Sequence, residues 1–212
     1  MEQSFEQIAA LEVCDSKKLF TRLSSEEGSD KYLSRKVAPC IFENICVCVD
    51  GVYDTYVRVS QELLKIWGTP EEELWKSAEN NAMQEGIYFN SLGKTLDEIQ
   101  EDYPEYKNEP VNSLSPLFIL SNKSKKFGAS VITLPGVLEK VAERLDDSFL
   151  CIPSSIHEWL ILRDKDGEYF SQDEIRHTIL EVNSSCVDEG EFLSNNLYHY
   201  DRMRKKFEIV DE

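Results

Sequence analysis

The sequence has few of the features that announce a function. Cations are scarce: 23 Lys and Arg stand against 40 Asp and Glu, a formal net charge of −17. Phosphate binding needs clustered Lys and Arg, so direct binding of DNA, RNA or an anionic membrane is not expected. The excess of carboxylates favours solubility, and it suits a basic protein partner or mimicry of nucleic-acid charge. Long apolar runs are missing as well. No stretch approaches the roughly 20 residues that cross a bilayer. Met1–Glu6 has neither the basic start nor the apolar centre of a secretory signal. The expected location is the cytoplasm.

Motifs for cofactors and metals are lacking too. There is no GxGxxG and no GxxxxGK followed by Ser or Thr, so no phosphate cradle is expected. The three histidines, His157, His177 and His199, show no HxxxH or HExxH spacing. Asp164-Lys165-Asp166-Gly167 resembles the start of a calcium loop, but its glycine comes too early and no glutamate closes it. A polar turn is expected there, and no metal or cofactor. The six cysteines, Cys14, Cys40, Cys46, Cys48, Cys151 and Cys186, include no CxxC pair. Free, mostly buried thiols are expected.

What is present is enough apolar residue for a folded core: 41% apolar and 30% charged over 212 residues. The chain is organised around Thr133–Leu162. Pro135 fits a first helical position, and Val137, Leu138, Val141, Ala142 and Leu145 share a helical face. Phe149–Ile152 predicts a strand covered on both faces and ended by Pro153, and Trp159–Leu162 predicts a second strand.

Elsewhere, Asp50-Gly51 predicts a hairpin between strands over residues 44–50 and 52–59. Ser60 and Gly68 bound a short helix. Thr69-Pro70-Glu71-Glu72 predicts a capping box with Thr69 as N-cap, and Ser171–Glu174 predicts another, before a helix that buries Ile175, Ile179 and Val182. Leu117–Ser121 and Phe127–Leu134 predict a strand pair, and residues 197–200 and 206–210 a terminal hairpin. Residues 103–116 predict a surface loop. At the N-terminus, Phe5, Ile8, Ala9 and Leu11 predict one helix, and Leu19, Phe20 and Leu23 a second one capped by Ser16. The expectation is an α+β domain over residues 35–212, mainly antiparallel sheet with helices packed on it, preceded by a helical arm over residues 1–34.

The polar cluster Ser154, Ser155, His157, Glu158 is the one group that suggests catalysis. A His–Glu pair near a hydroxyl can supply base, orienter and nucleophile. Adjacent residues on a strand point to opposite faces, however, so His157 and Glu158 do not converge from spacing alone. The ordinary reading is a corner whose serines bond local backbone. No catalytic residue is assigned. Lys123, Lys125 and Lys126 read as a solvated basic turn, and Tyr198–Asp201 as an aromatic strand.

Several pieces together resemble one family. They are Glu62–Gly68 with Glu71–Leu74, Phe118–Asn122, Gly128–Ser130, Pro135–Leu138, Pro153–Glu158, Glu181–Asn183, Leu193-Ser194, Tyr198 and Tyr200-Asp201. The pattern resembles an uncharacterised bacterial family of unknown function, DUF5688, from about Leu19 onward. The resemblance implies a setting in anaerobic Firmicutes and their mobile elements, and it implies no activity. The expected function is non-enzymatic binding of another protein; the sharper form is a mobile-element-encoded inhibitor of a host nucleic-acid-directed enzyme. A small hydrolase using His157 with Ser154 or Ser155 is the alternative from another class. A structural or regulatory partner of an adjacent element-encoded protein is the third.

Overall fold

A computed structural model describes residues 13–26, 31–49, 55–102, 115–167 and 170–210. The fold is α+β, with antiparallel sheets and helices packed on them. Contacts gather into two compact units, Met1–Gly86 and Ile87–Glu212. The helix expected over residues 1–14 and the loop expected over residues 103–116 lie outside the described residues, except Val13 and Cys14, which are not helical, and Ser115 and Pro116, which precede the next strand.

In the first unit β1 (Leu19–Ser24), β2 (Ser34–Ala38) and β4 (Tyr56–Arg58) all pair antiparallel with β3 (Ile41–Cys48). The expected helix carrying Leu19, Phe20 and Leu23 is therefore a strand. Both of its faces are buried, so its apolar residues follow no single period. The expected antiparallel pairing of these strands holds, but in another register: a two-residue turn at Asp50-Gly51 would set Val47 opposite Asp54, and Val47 instead faces Val57; residues 50–54 lie outside the described residues. Helix α1 (Gln61–Trp67) starts at Ser60, whose hydroxyl accepts from the Leu63 N–H, and ends at Gly68 in the left-handed region. Helix α2 (Glu71–Glu85) buries Leu74 and Ala78. These pack on Leu19, Leu33, Ile45, Val47 and Val59. The Asn81 amide of α2 donates to the carbonyls of Ser16 at 2.7 Å and Leu19 at 2.9 Å, tying the helix to the start of β1. The expected Thr69 cap is absent. Pro70 occupies the cap position instead; its ring has no acceptor to offer, and its carbonyl takes the first helical N–H groups, from Glu73 at 3.0 Å and Leu74 at 3.4 Å.

The second unit holds β5 (Ile87–Ser91), α3 (Leu92–Asp102), β6 (Leu117–Asn122), α4 (Val137–Leu145), β7 (Phe149–Ser155), β8 (Glu158–Arg163), the helical turn α5 (Asp164–Gly167), α6 (Gln172–Ser185), β9 (Tyr198–Asp201) and β10 (Lys206–Ile209). The strands form one sheet in the order β10-β9-β7-β8-β6-β5, with every pairing described antiparallel. The register sets Phe149, Cys151, Trp159 and Ile161 on one face, and Leu150, Ile152, Leu160 and Leu162 on the other. The first face is closed by α4 and a 3₁₀ turn over Gly128–Thr133. The second packs on Ile175, Ile179 and Leu197.

Four expectations are corrected in this unit. Phe127–Leu134 is not a returning strand. Phe127 takes φ +53°, and Gly128–Thr133 coils beneath Trp159, whose indole N–H donates to the Ala129 carbonyl at 2.8 Å. Pro135 precedes α4 rather than opening it; the helix starts at Val137 after Gly136 in the left-handed region. Pro153 does not end β7. Its partner β9 leaves after Cys151, so Pro153 has no second ladder to break. Val182 is 42% exposed, while Ile175 and Ile179 are buried as expected.

Candidate functional site

Strand β7 runs through Pro153 and Ser154 to Ser155, reverses across Ile156 and His157, and returns as β8 at Glu158. The reversal is tight because the Ser155 hydroxyl accepts the His157 backbone N–H at 3.0 Å. The backbone of Ile156 is held from two directions. Its N–H donates to the Glu191 carbonyl at 2.9 Å, and its own carbonyl accepts from the Ala129 N–H at 3.2 Å. The His157 carbonyl accepts from the Ser121 hydroxyl at 2.7 Å. Gly128 completes the junction. A Cβ there would lie 2.1 Å from the Ser121 Oγ and 2.6 Å from the Asn122 nitrogen, so only glycine lets the 3₁₀ turn approach β6.

The imidazole of His157 is turned toward that 3₁₀ turn. Its Nδ1 accepts the Phe127 N–H at 3.0 Å, and its ring stacks on the Phe127 ring at 5.4 Å between centroids. A neutral ring in this arrangement carries its proton on Nε2, which lies 3.4 Å from a Glu191 carboxylate oxygen. Ser154 points elsewhere, donating to the Glu158 carboxylate at 3.3 Å. The structure thus brings Ser154 to Glu158, Ser155 to the His157 backbone, and the His157 ring to Phe127 and Glu191. Neither serine hydroxyl is bonded to the imidazole. The aspect the sequence left hidden is Glu191, 34 positions along the chain from His157 and therefore invisible to local spacing.

Other reactive groups are similarly tied up. Burial pushes the Cys46 thiol up to about 12 and the Cys151 thiol well above its ordinary value. Tyr198 and Tyr200 are buried, Tyr198 stacked on Phe207 and Tyr200 on Phe149, as expected of an aromatic strand in the core. His199 bonds both Asp164 carboxylate oxygens, at 2.9 and 3.1 Å, and that bond holds its pKa above the usual histidine value. Among the described residues no group of three or more His, Cys, Asp or Glu is placed to hold a metal ion. Among them, too, no helix is long and apolar enough to cross a membrane.

One concavity among the described residues is mainly apolar. A groove of about 680 Å³ lies between α6 and the second face of the sheet. Leu117, Ile152, Leu160 and Leu162 form its floor, and Ile175, Ile179 and Val182 its wall. Ser154 stands at its lip with Glu158 beyond it. Phe170, 44% exposed, borders one end. The volume falls in the range of sites that enclose a ligand or an anchoring side-chain cluster. The apolar stripe on α6 carried a signal for the groove, since Val182 continues the Ile175–Ile179 line past the point where the sheet covers it.

No curated protein and no solved structure matches the chain. A family model does match, over residues 41–202, and it describes a family of unknown function. The matched span runs from β3 through β9 and takes in the Pro153–Glu158 corner, its Phe127 and Glu191 partners, and the whole groove lining. The chain belongs to the DUF5688 family.

Proposed function

We propose that the chain is a non-enzymatic binding protein that receives an apolar segment of a protein partner in the groove between α6 and the sheet. The observation that carries this reading is the groove itself: about 680 Å³, walled and floored by aliphatic side chains, with Val182 and Phe170 left exposed at its edge. The engagement of Ser154, Ser155 and His157 in local bonds supports it. A hydrolase needs a hydroxyl within reach of an imidazole lone pair, and here Nδ1 is taken by the Phe127 N–H. The sharper form of the proposal makes the partner a host nucleic-acid-directed enzyme. Such enzymes expose cations to their substrate, and a chain of net charge −17 complements them. A regulatory partner encoded nearby would use the same groove.

Affinity capture with wild type and Val182→Asp tests the reading, beside a turnover screen on ester, peptide and phosphodiester substrates. A protein captured by wild type and lost with Val182→Asp is the expected result. Turnover by wild type that His157→Ala loses without unfolding overturns it in favour of the hydrolase.

A further inference from the structure

We propose that the groove takes the apolar face of a cationic amphipathic helix, an assignment that rests on the binding role above. Three observations select this occupant. The first is that no backbone ladder is open at the floor. Strands β8 and β6 are paired on both flanks, and β7, where β9 leaves it, presents Pro153, which has no N–H. Strand addition needs free donors and acceptors along an edge, so the occupant is held by side chains alone, the mode of a helix in a groove.

The second is length. From Ile175 to Val182 the wall extends about 10 Å at 1.5 Å per residue, which is the span of helix anchors at i, i+3 or i+4, and i+7. The third is charge. No Lys or Arg lines the groove, and the one charged lining residue is Glu174. The Ser171 N–H and hydroxyl both donate to its carboxylate and hold it ionised. Glu158 stands behind Ser154 at the lip, and Glu181 is exposed beside Val182. An apolar helix face flanked by Lys or Arg meets aliphatic carbon in the centre and carboxylates at the rim. An acidic helix meets like charge on a surface already at −17. A fatty acid or phosphorylated ligand lacks a cation to hold its head group.

The test uses the full chain and labelled synthetic helices of about 18 residues, five turns. One carries Leu on one face and Lys on the other; its counterpart has Glu in place of each Lys. Fluorescence anisotropy reads binding to wild type, to Val182→Asp, and to Met203→Asp as a control on the exposed β9–β10 turn. The expected result is binding of the Leu/Lys helix, no binding of the Leu/Glu helix, a loss of about tenfold or more for Val182→Asp, and none for Met203→Asp. Equal binding of the Leu/Lys helix to all three proteins means charge attraction alone and overturns the assignment. Binding of the Leu/Glu helix that Val182→Asp abolishes overturns the cationic occupant and leaves the binding role standing. Uptake of a neutral apolar dye without either helix overturns both. A wild-type dimer that Val182→Asp dissociates, with no helix bound, gives the groove to a second copy of this chain and also overturns the assignment.

Discussion

Two histidines show how the same side chain is put to different structural uses. His157 is an acceptor for a backbone donor, the Phe127 N–H, in a junction that also involves Ser121, Gly128 and Glu191. Removing it takes away this bond to a largely enclosed N–H, together with the ring that stacks on Phe127. His157→Ala should therefore lower stability by about 1–3 kcal/mol, read as a shift in denaturant midpoint with unchanged slope. An unshifted midpoint would mean that the junction does not depend on the ring. His199 instead gains from protonation, through its bond to Asp164. Its folded pKa stands above the ordinary 6.5, so its contribution is fully present below pH 6.5 and is lost as pH rises through the folded value. Wild type should exceed His199→Gln in stability at about pH 6, and the gap should narrow by about pH 8. A gap that widens with pH would contradict the assigned direction.

At the scale of elements, the helix ends give a direct comparison. Ser171 and Glu174 form a reciprocal capping box at the start of α6, and Ser171→Ala should cost about 1 kcal/mol. Thr69 makes no cap to α2, which follows Pro70, so Thr69→Ala should change stability by less than about 0.5 kcal/mol. Chemical denaturation of the two variants side by side checks both, and equal losses would restore Thr69 to the cap. The pair also marks how far sequence reading reaches. The Ser60 and Ser171 caps, the β3–β4 and β9–β10 pairings and the α4 face were legible because their signals are local. Leu19–Ser24 was misread because a strand buried on both faces has no alternation, and Leu19, Phe20 and Leu23 then imitate a helical stripe. Phe127–Leu134 was misread because its apolar run is set by what lies over it: Trp159, the Ile156 carbonyl and the β6 backbone. At the candidate site the four polar residues were legible as a cluster. Their partners were not, because Phe127 and Glu191 arrive from distant sequence. The groove escaped notice for the complementary reason, since a periodic pattern shows which residues share a face but not how much of that face is covered.

Across the whole molecule, thiols sample both units. Cys46 and Cys48 are buried in the first, and Cys151 in the second. Cys40 and Cys186 are exposed, and all six are free. A chain of 212 residues encloses enough core to fold without covalent staples. Reaction with a thiol reagent requires the thiolate and access to it. Burial denies access to Cys46, Cys48 and Cys151, and it raises the Cys46 pKa to about 12, so almost none of that group is thiolate at neutral pH. Native protein should show Cys40 and Cys186 reacting fast, Cys14 more slowly because burial and the neighbouring Asp15 raise its pKa, and the other three only on unfolding. Denatured, non-reduced protein should yield six thiols. Fewer than six would reveal a disulfide between residues that the fold keeps free, and rapid native reaction of Cys151 would mean that the sheet of the second unit opens far more readily than its packing implies.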